Sequence, residues 1–248
     1  MTERIQRMKA RLEVDKYPIC AEKARYSIEA WRRHEGLPPI LQRAYATANY
    51  LDKRTIFIDD DELIAGNVAS RPMGMEASVW GPFWDDADLD TMLDGGKFTI
   101  TDEDRAELRS YDSFWEGQGR QIYEFQGSCY DDWHLWPFIR SGVLCPPWKD
   151  KAKGRGAGGA GFGWGLGIGL SFFVPDYGKI ISEGISKTLH EAEEELHSLR
   201  YHDPDSVEKS HYLKAVIIAL SAMVRMYHRY GDVCLEKAAQ TDGPERKK

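Results

Sequence analysis

Two long stretches near the end of the chain fix its fold class. Apolar residues Ile181, Ile185, Leu189, Ala192, Leu196 and Leu199 recur every three to four positions, and so do Leu213, Val216, Leu220, Met223 and Tyr227. At 3.6 residues per turn this spacing lays one stripe along one side of a helix, a pattern no strand can keep. Pro175 opens the first stretch and the turn Tyr201-His202-Asp203-Pro204 breaks it. Asp205 with Glu208 reads as a capping box for the second. The pair is expected to fold back as a helical hairpin.

The first fifty residues repeat the theme on a smaller scale. Ile5, Met8 and Leu12 give one stripe, and Ala21, Ala24, Ile28 and Trp31 a second, with Gly36 ending that helix. Pro38 and Pro39 suit the first turn of a third helix, where a missing backbone N–H costs little, and its stripe is Leu41, Ala44, Ala48 and Leu51. Thr55 to Ile58 and Glu62 to Ala65, divided by Asp59-Asp60-Asp61, read as a small hairpin or two edge strands, the one clear β signal. Thr101 with Asp104 predicts a helix N-cap, followed by an aromatic face of Leu108, Tyr111 and Trp115, and Gly117 and Gly119 stop that helix. The fold class is therefore mainly α with a small β component.

Composition narrows the function classes. The 248 residues are 42% hydrophobic, enough for a core of domain size, and carry a formal net charge of −7 with positive and negative residues interleaved. Such a surface does not favour nucleic acid or an anionic membrane. No apolar run reaches membrane-spanning length, and residues 1–16 are charged and amphipathic rather than secretory, so the reading is a cytoplasmic chain. Cys20, Cys129, Cys145 and Cys234 show no Cys-x-x-Cys spacing, which argues against disulfides and structural zinc.

Three patterns invite a chemical reading. Residues 154–169 hold nine glycines, including Gly156-x-Gly158-x-x-Gly161. That spacing binds a pyrophosphate only where it joins a buried strand to a helix N-terminus. The preceding Cys145-Pro146-Pro147-Trp148 is no strand, and a loop packed close to a ligand or another backbone fits better. Between Gln121 and Trp148 the chain is dense in aromatics, a core more readily than a pocket for an apolar substrate. Glu194-x-x-His197 and Glu208-x-x-His211 have the spacing of di-iron bundles, but the inner stripe of Leu196, Leu199, Leu213 and Val216 leaves them on solvated flanks. No metal ligand and no catalytic residue is assigned.

The stretch Glu35-Gly36-Leu37-Pro38-Pro39-Ile40-Leu41-Gln42-Arg43-Ala44, followed by Ile56-Phe57-Ile58-Asp59-Asp60-Asp61-Glu62-Leu63-Ile64-Ala65-Gly66-Asn67, resembles the N-terminal segment of glycyl radical enzymes, the pyruvate formate-lyase superfamily. Gly165-Leu166-Gly167-Ile168-Gly169, with Val174-Pro175-Asp176-Tyr177-Gly178 beyond it, is similar to that family's glycine-rich loop, Asp-Tyr pair and helix. The resemblance implies a barrel of strands wrapped by helices, of which this chain would be the N-terminal helical layer. It also implies that the glycine-rich loop passes the active site. Polyol-dehydratase-like members commonly have a histidine four residues before the Asp-Tyr pair, where this chain has Phe172. Trp164 falls eight residues earlier still. Trp164 and Phe172 are thus the substrate-binding candidates, and two aromatics there tilt the expectation toward an apolar or aryl acid undergoing decarboxylation.

In the chemistry the resemblance implies, an activating enzyme that uses S-adenosylmethionine and an iron–sulfur cluster places a radical on a glycine. The glycine oxidises a cysteine, and the thiyl radical takes hydrogen from a small organic substrate. No cysteine of this chain sits in the family's Gly-Cys-x-Glu setting, and no Arg-Val-x-Gly-Tyr loop occurs. The expectation is that residues 1–248 are the N-terminal part of a pyruvate formate-lyase domain, truncated at the C-terminus and inactive alone. This segment would bind no cofactor itself. Its partners would be the remainder of the parent polypeptide and the activating enzyme, with a homodimer as a further assembly. The rival readings are a non-catalytic helical scaffold derived from the family and a di-iron helix bundle.

Overall fold

A computed structural model describes residues 2–77, 89–90, 93–111, 113–114, 176–200 and 202–241. The chain divides into two compact units, one formed by Met1–Val79, Leu89–Leu108 and Gly178–Lys248, the other by Trp80–Asp88 and Arg109–Tyr177. Nearly all described residues belong to the first. Its elements are α1 (Glu3–Leu12), β1 (Tyr17–Cys20), α2 (Glu22–Arg33), α3 (Pro39–Lys53), β2 (Met75–Glu76), β3 (Phe98–Thr99), α4 (Asp102–Arg109), α5 (Tyr177–Ser198) and α6 (Ser206–Ala239).

Helices α2, α3 and α6 form one layer, with α3 in the middle packed along both neighbours. Alanine makes this close approach practicable, because a bare methyl lets helix axes draw together. Ala24 and Ala30 of α2, Ala44, Ala46 and Ala48 of α3, and Ala215 and Ala222 of α6 are all buried. Leu41, Ala44 and Ala215 meet in one apolar cluster with Ile218 against it. The α2 and α3 stripes are where the sequence puts them: Ala21, Ala24, Ile28, Leu41, Ala44 and Ala48 are buried, and Trp31 and Leu51 half-buried. Pro39 takes the first turn of α3 and Gly36 adopts φ 84° just past α2.

The β component differs from the expected hairpin. Residues 55–58 and 62–65 form no strands, and Leu63 and Ile64 are 81% and 88% exposed. Along 55–58 the β propensity is overridden because side chains take the backbone groups that a strand partner would use: Glu22 accepts from Thr55 N, Asn67 holds Thr55 O and Phe57 N, and Lys237 donates to Ile58 O. The sheet is instead three short parallel strands in the order β2-β1-β3, with Ile19 opposite Met75, Cys20 opposite Glu76, Tyr17 opposite Phe98 and Pro18 opposite Thr99. A central proline is unusual, since it cannot donate to a ladder. Here β3 takes the first half of β1 and β2 the second, and Tyr17 N–H supplies a donor to Lys97 O at 2.8 Å. Ile19 and Cys20 are buried at the middle of this sheet.

Five further helix expectations meet mixed outcomes. Thr101 caps α4 as predicted, its hydroxyl accepting from Asp104 N at 3.1 Å. In α1, Ile5, Met8 and Leu12 are exposed, so the stripe there buries nothing. Asp205 makes no side-chain cap because its backbone is already helical (φ −85°, ψ −3°), which turns the carboxylate away from the free amides. The two long helices do not pair: α6 lies along α3 rather than along α5, and α5 breaks at Gly184. The buried line of α6 runs through Ser206, Ser210, Ala215, Ala222 and Tyr230, beside the predicted stripe, so Tyr227 is 53% exposed.

Candidate functional site

The densest polar junction among the described residues joins α6 to the chain that leaves α3. Asn67 is 8% exposed, and each of its hydrogen-bonding groups is used. Nδ2 donates to Thr55 O at 2.9 Å and to Ala69 O at 2.7 Å. Oδ1 accepts from Phe57 N at 3.3 Å and from the Tyr230 hydroxyl. The same hydroxyl accepts from Asn67 N at 2.9 Å, and Arg54 Nη2 donates to Asn67 O. Two carbonyls facing Nδ2 fix which way the amide points.

One face of α6 presents the rest of the junction at helical spacing. Arg225 makes a two-pronged pair with Asp52 at 2.8 and 2.7 Å. Arg229 donates to Leu51 O at 2.9 Å, a last-turn carbonyl of α3 that its own helix cannot satisfy, and to Arg54 O at 2.8 Å just past the helix. Lys237 donates to Ile58 O and stands 3.5 Å from Asp60. From the opposite side α1 holds the same acidic turn. Arg7 grips Asp61, with its shortest contact 2.6 Å, Arg11 approaches within 3.4 Å, and Arg4 donates to Asp61 O at 2.7 Å. Asp61 is 6% exposed, so these guanidinium groups replace the water its charge would require.

Next to this junction, Tyr50 is buried at the α3 face with the Arg54 guanidinium 5.1 Å and the Lys23 ammonium 5.9 Å from its ring centre. Burial pushes its phenol up to about 12. Glu76 closes the frame. Its two oxygens accept from Lys23 N at 2.9 Å and Ser70 N at 2.8 Å, which supplies α2 with the cap that Ala21 cannot. Sequence periodicity passes over these residues because polar side chains fall outside an apolar stripe. Asn67 after a glycine, and the Arg225, Arg229 and Lys237 series at spacings of four and eight, were the available signals.

The residues singled out for chemistry fall elsewhere. Trp164 and Phe172, the glycine run and the aromatic stretch from 121 to 148 lie outside the described residues, as do Cys129 and Cys145. Asp176 and Tyr177 are exposed. Cys20 is buried, its Sγ against Gly74, and Cys234 is exposed on α6. Cys234 has Glu236 two residues on, but Val233 occupies the glycine position of the motif. His197 is exposed with Nδ1 2.7 Å from Glu193 O, and Glu194 lies 3.2 Å from His190. Among the described residues, no three His, Cys, Asp or Glu side chains are grouped to hold a metal ion, and no helix is long and apolar enough to cross a membrane.

The described junction is thus a mechanical joint, and comparison with known proteins identifies what it belongs to. The chain is 27% identical over 257 aligned positions to the (2S)-3-sulfopropanediol dehydratase of Klebsiella oxytoca, covering 98% of this chain and 28% of that protein. It is 26% identical over 235 positions to the isethionate sulfite-lyase of Oleidesulfovibrio alaskensis, covering 92% and 27%. Among solved structures, the glycerol-bound B12-independent glycerol dehydratase from Clostridium butyricum superimposes with a TM-score of 0.73 at 26% identity, covering all of this chain and 29% of that one. The chain spans under a third of the length of the relatives it matches. The family described as "Pyruvate formate lyase-like" matches residues 1–248, and the chain belongs to it, the family of the glycyl radical enzymes.

Proposed function

We propose that this chain is the N-terminal helical layer of a glycyl radical enzyme that cleaves a C–O or C–C bond of a small organic molecule, and that it performs no chemistry alone. The observation that carries the reading is the family match over residues 1–248 in a chain that covers only 28% of the sulfopropanediol dehydratase. The sequence adds that no cysteine here has the Gly-Cys-x-Glu setting and no Arg-Val-x-Gly-Tyr loop is present. The radical glycine and the thiyl cysteine would then be supplied by further polypeptide, and a radical S-adenosylmethionine activase would install the radical. Trp164 and Phe172 would line the pocket wall that this segment contributes. Two aromatics favour an apolar or aryl acid losing carbon dioxide, whereas the two dehydratases among the named relatives favour loss of water from a polyol.

The test is anaerobic activation of the polypeptide that contains this chain, followed by electron paramagnetic resonance. A glycyl doublet in the longer protein, none in residues 1–248, and turnover of an arylacetate or a vicinal diol are expected. A doublet or turnover from the 248 residues alone would refute the assignment. A second reading, a stand-alone scaffold module, has one observation in its favour: α6 is fastened to residues 51–67 by Arg225, Arg229, Tyr230 and Lys237. Cooperative melting of the isolated chain without binding of hydrophobic dye would support it.

A further inference from the structure

Gly184 interrupts α5 with φ 77° and ψ 165°. That combination lies in a part of backbone space that only glycine occupies comfortably. Among the described residues, nothing outside the chain neighbours and the adjacent helix backbone lies within 4 Å of where a Cβ would project, so the backbone angle, and not lack of room, is what requires glycine. The bend brings Lys179 Nζ within 2.8 Å of Glu191 Oε2, twelve positions along. In an unbroken helix those residues would stand roughly 18 Å apart along the axis, beyond the combined reach of the two side chains. Residues 177–183 are therefore an arm bent back toward the rest of α5.

Within the described residues, the apolar side chains of the arm are not packed away. Ile181 is 83% exposed, and Tyr177 and Ile180 are exposed as well. The Lys179–Glu191 pair has both side chains well exposed, and the Glu191 carboxyl is held below its usual range by the Lys179 hydrogen bond. Lys187 and Glu183, 3.1 Å apart, form a second pair that reaches across Gly184. An exposed ion pair is weak and is screened by salt. A straightened α5 would recover the helical hydrogen bonds that the break removes.

We propose that Gly184 is a two-state joint, at which the arm 177–183 alternates between the bent position latched by Lys179 and Glu191 and a straight continuation of α5. The joint is independent of the enzymatic reading, because it rests only on the geometry of α5. It is tested in the full 248-residue chain with nitroxide labels placed at the exposed positions Ile181 and Glu194 through genetically encoded azides, and pulsed electron paramagnetic resonance distances. A straight helix sets the separation of those positions at roughly 20 Å. The native chain should give a shorter main distance, and Glu191→Gln or 1 M salt should add a component near that value. Gly184→Ala should give that component alone, with its far-ultraviolet circular dichroism checked for intact fold. A native distance already near the straight value, an unchanged short distance in Gly184→Ala, or no second component in either Glu191→Gln or high salt would overturn the joint.

Discussion

Tyr230 and Asn67, 163 residues apart, exchange two hydrogen bonds: the phenol donates to Asn67 Oδ1 and accepts from Asn67 N at 2.9 Å. Both residues are buried, so neither group has water in reserve. Tyr230→Phe should cost about 1–3 kcal/mol, because it strands a buried amide N–H without a partner. Asn67→Asp should cost more than Asn67→Ala, since a carboxylate would face the carbonyls of Thr55 and Ala69 that the amide now feeds. Urea denaturation of the three variants gives the ranking, and Asn67→Asp at or above the stability of Asn67→Ala would contradict it.

Helix α1 buries no residue and is fastened largely through Arg4, Arg7 and Arg11 on the Asp59–Asp61 turn. Asp61→Asn should therefore release α1 without unfolding α2, α3 and α6. Hydrogen exchange in residues 3–12 should rise toward the unprotected rate, while the global midpoint falls by only a few degrees. In the native chain, raising the salt concentration should move the same peptides in the same direction, by less, because Asp61 is buried and screened only in part.

Gly74 lies where a Cβ would come 2.9 Å from Arg71 O and 2.9 Å from Cys20 Sγ. Gly74→Ala should cost about 1–3 kcal/mol by overpacking the β1–β2 contact. Cys20→Ala removes one of the two collisions, so the double variant should recover part of that loss. A coupling of at least about 0.5 kcal/mol is expected in the double-mutant cycle, and strict additivity would place the strain at the backbone oxygens of Arg71 and Pro18.

Tyr50 supplies a pH dependence with a definite sign. Its folded phenol titrates at about 12, above the value near 10 of an unfolded tyrosine. The folded chain therefore holds this proton after the unfolded chain has lost it. Stability from this group is whole below pH 10 and is lost as pH rises from 10 through 12. Neighbouring cations and solvent temper the loss to about 1–2 kcal/mol. Tyr50→Phe should remove that component of the alkaline decline in thermal midpoint, with other tyrosines supplying the remainder.

The parts of this fold that were legible in the sequence are those with a local cause. The α2 and α3 stripes, the Pro38-Pro39 start and the Thr101 cap each depend on residues within a turn or two of one another. The sheet was not legible, because β1 is four residues long, contains Pro18, and meets strands of two residues each from 55 and more positions away. The hairpin reading of 55–65 failed for the complementary reason. Its β-branched residues were visible, but Arg4, Arg7, Glu22 and Lys237, which claim its polar groups, are nowhere near it in sequence. On α6 the offset is about one position: the stripe through Tyr227 was chosen by bulk, and the buried line is set by Ala215 and Ala222, whose small size decides what fits against α3. The candidate pocket residues Trp164 and Phe172 rest on the family resemblance alone.

The Arg225–Asp52 clamp also has a timetable. The two residues are separated by 173 positions, which at a synthesis rate of 5–20 residues per second is roughly 9–35 s of translation. Throughout that interval the nascent α2–α3 pair exists with the alanine face of α3 uncovered and the closing carbonyls of Leu51 and Arg54 waiting for a guanidinium not yet made. Birth order thus gives this layer a long adolescence with apolar surface uncovered, the stage at which a nascent chain is most prone to aggregate.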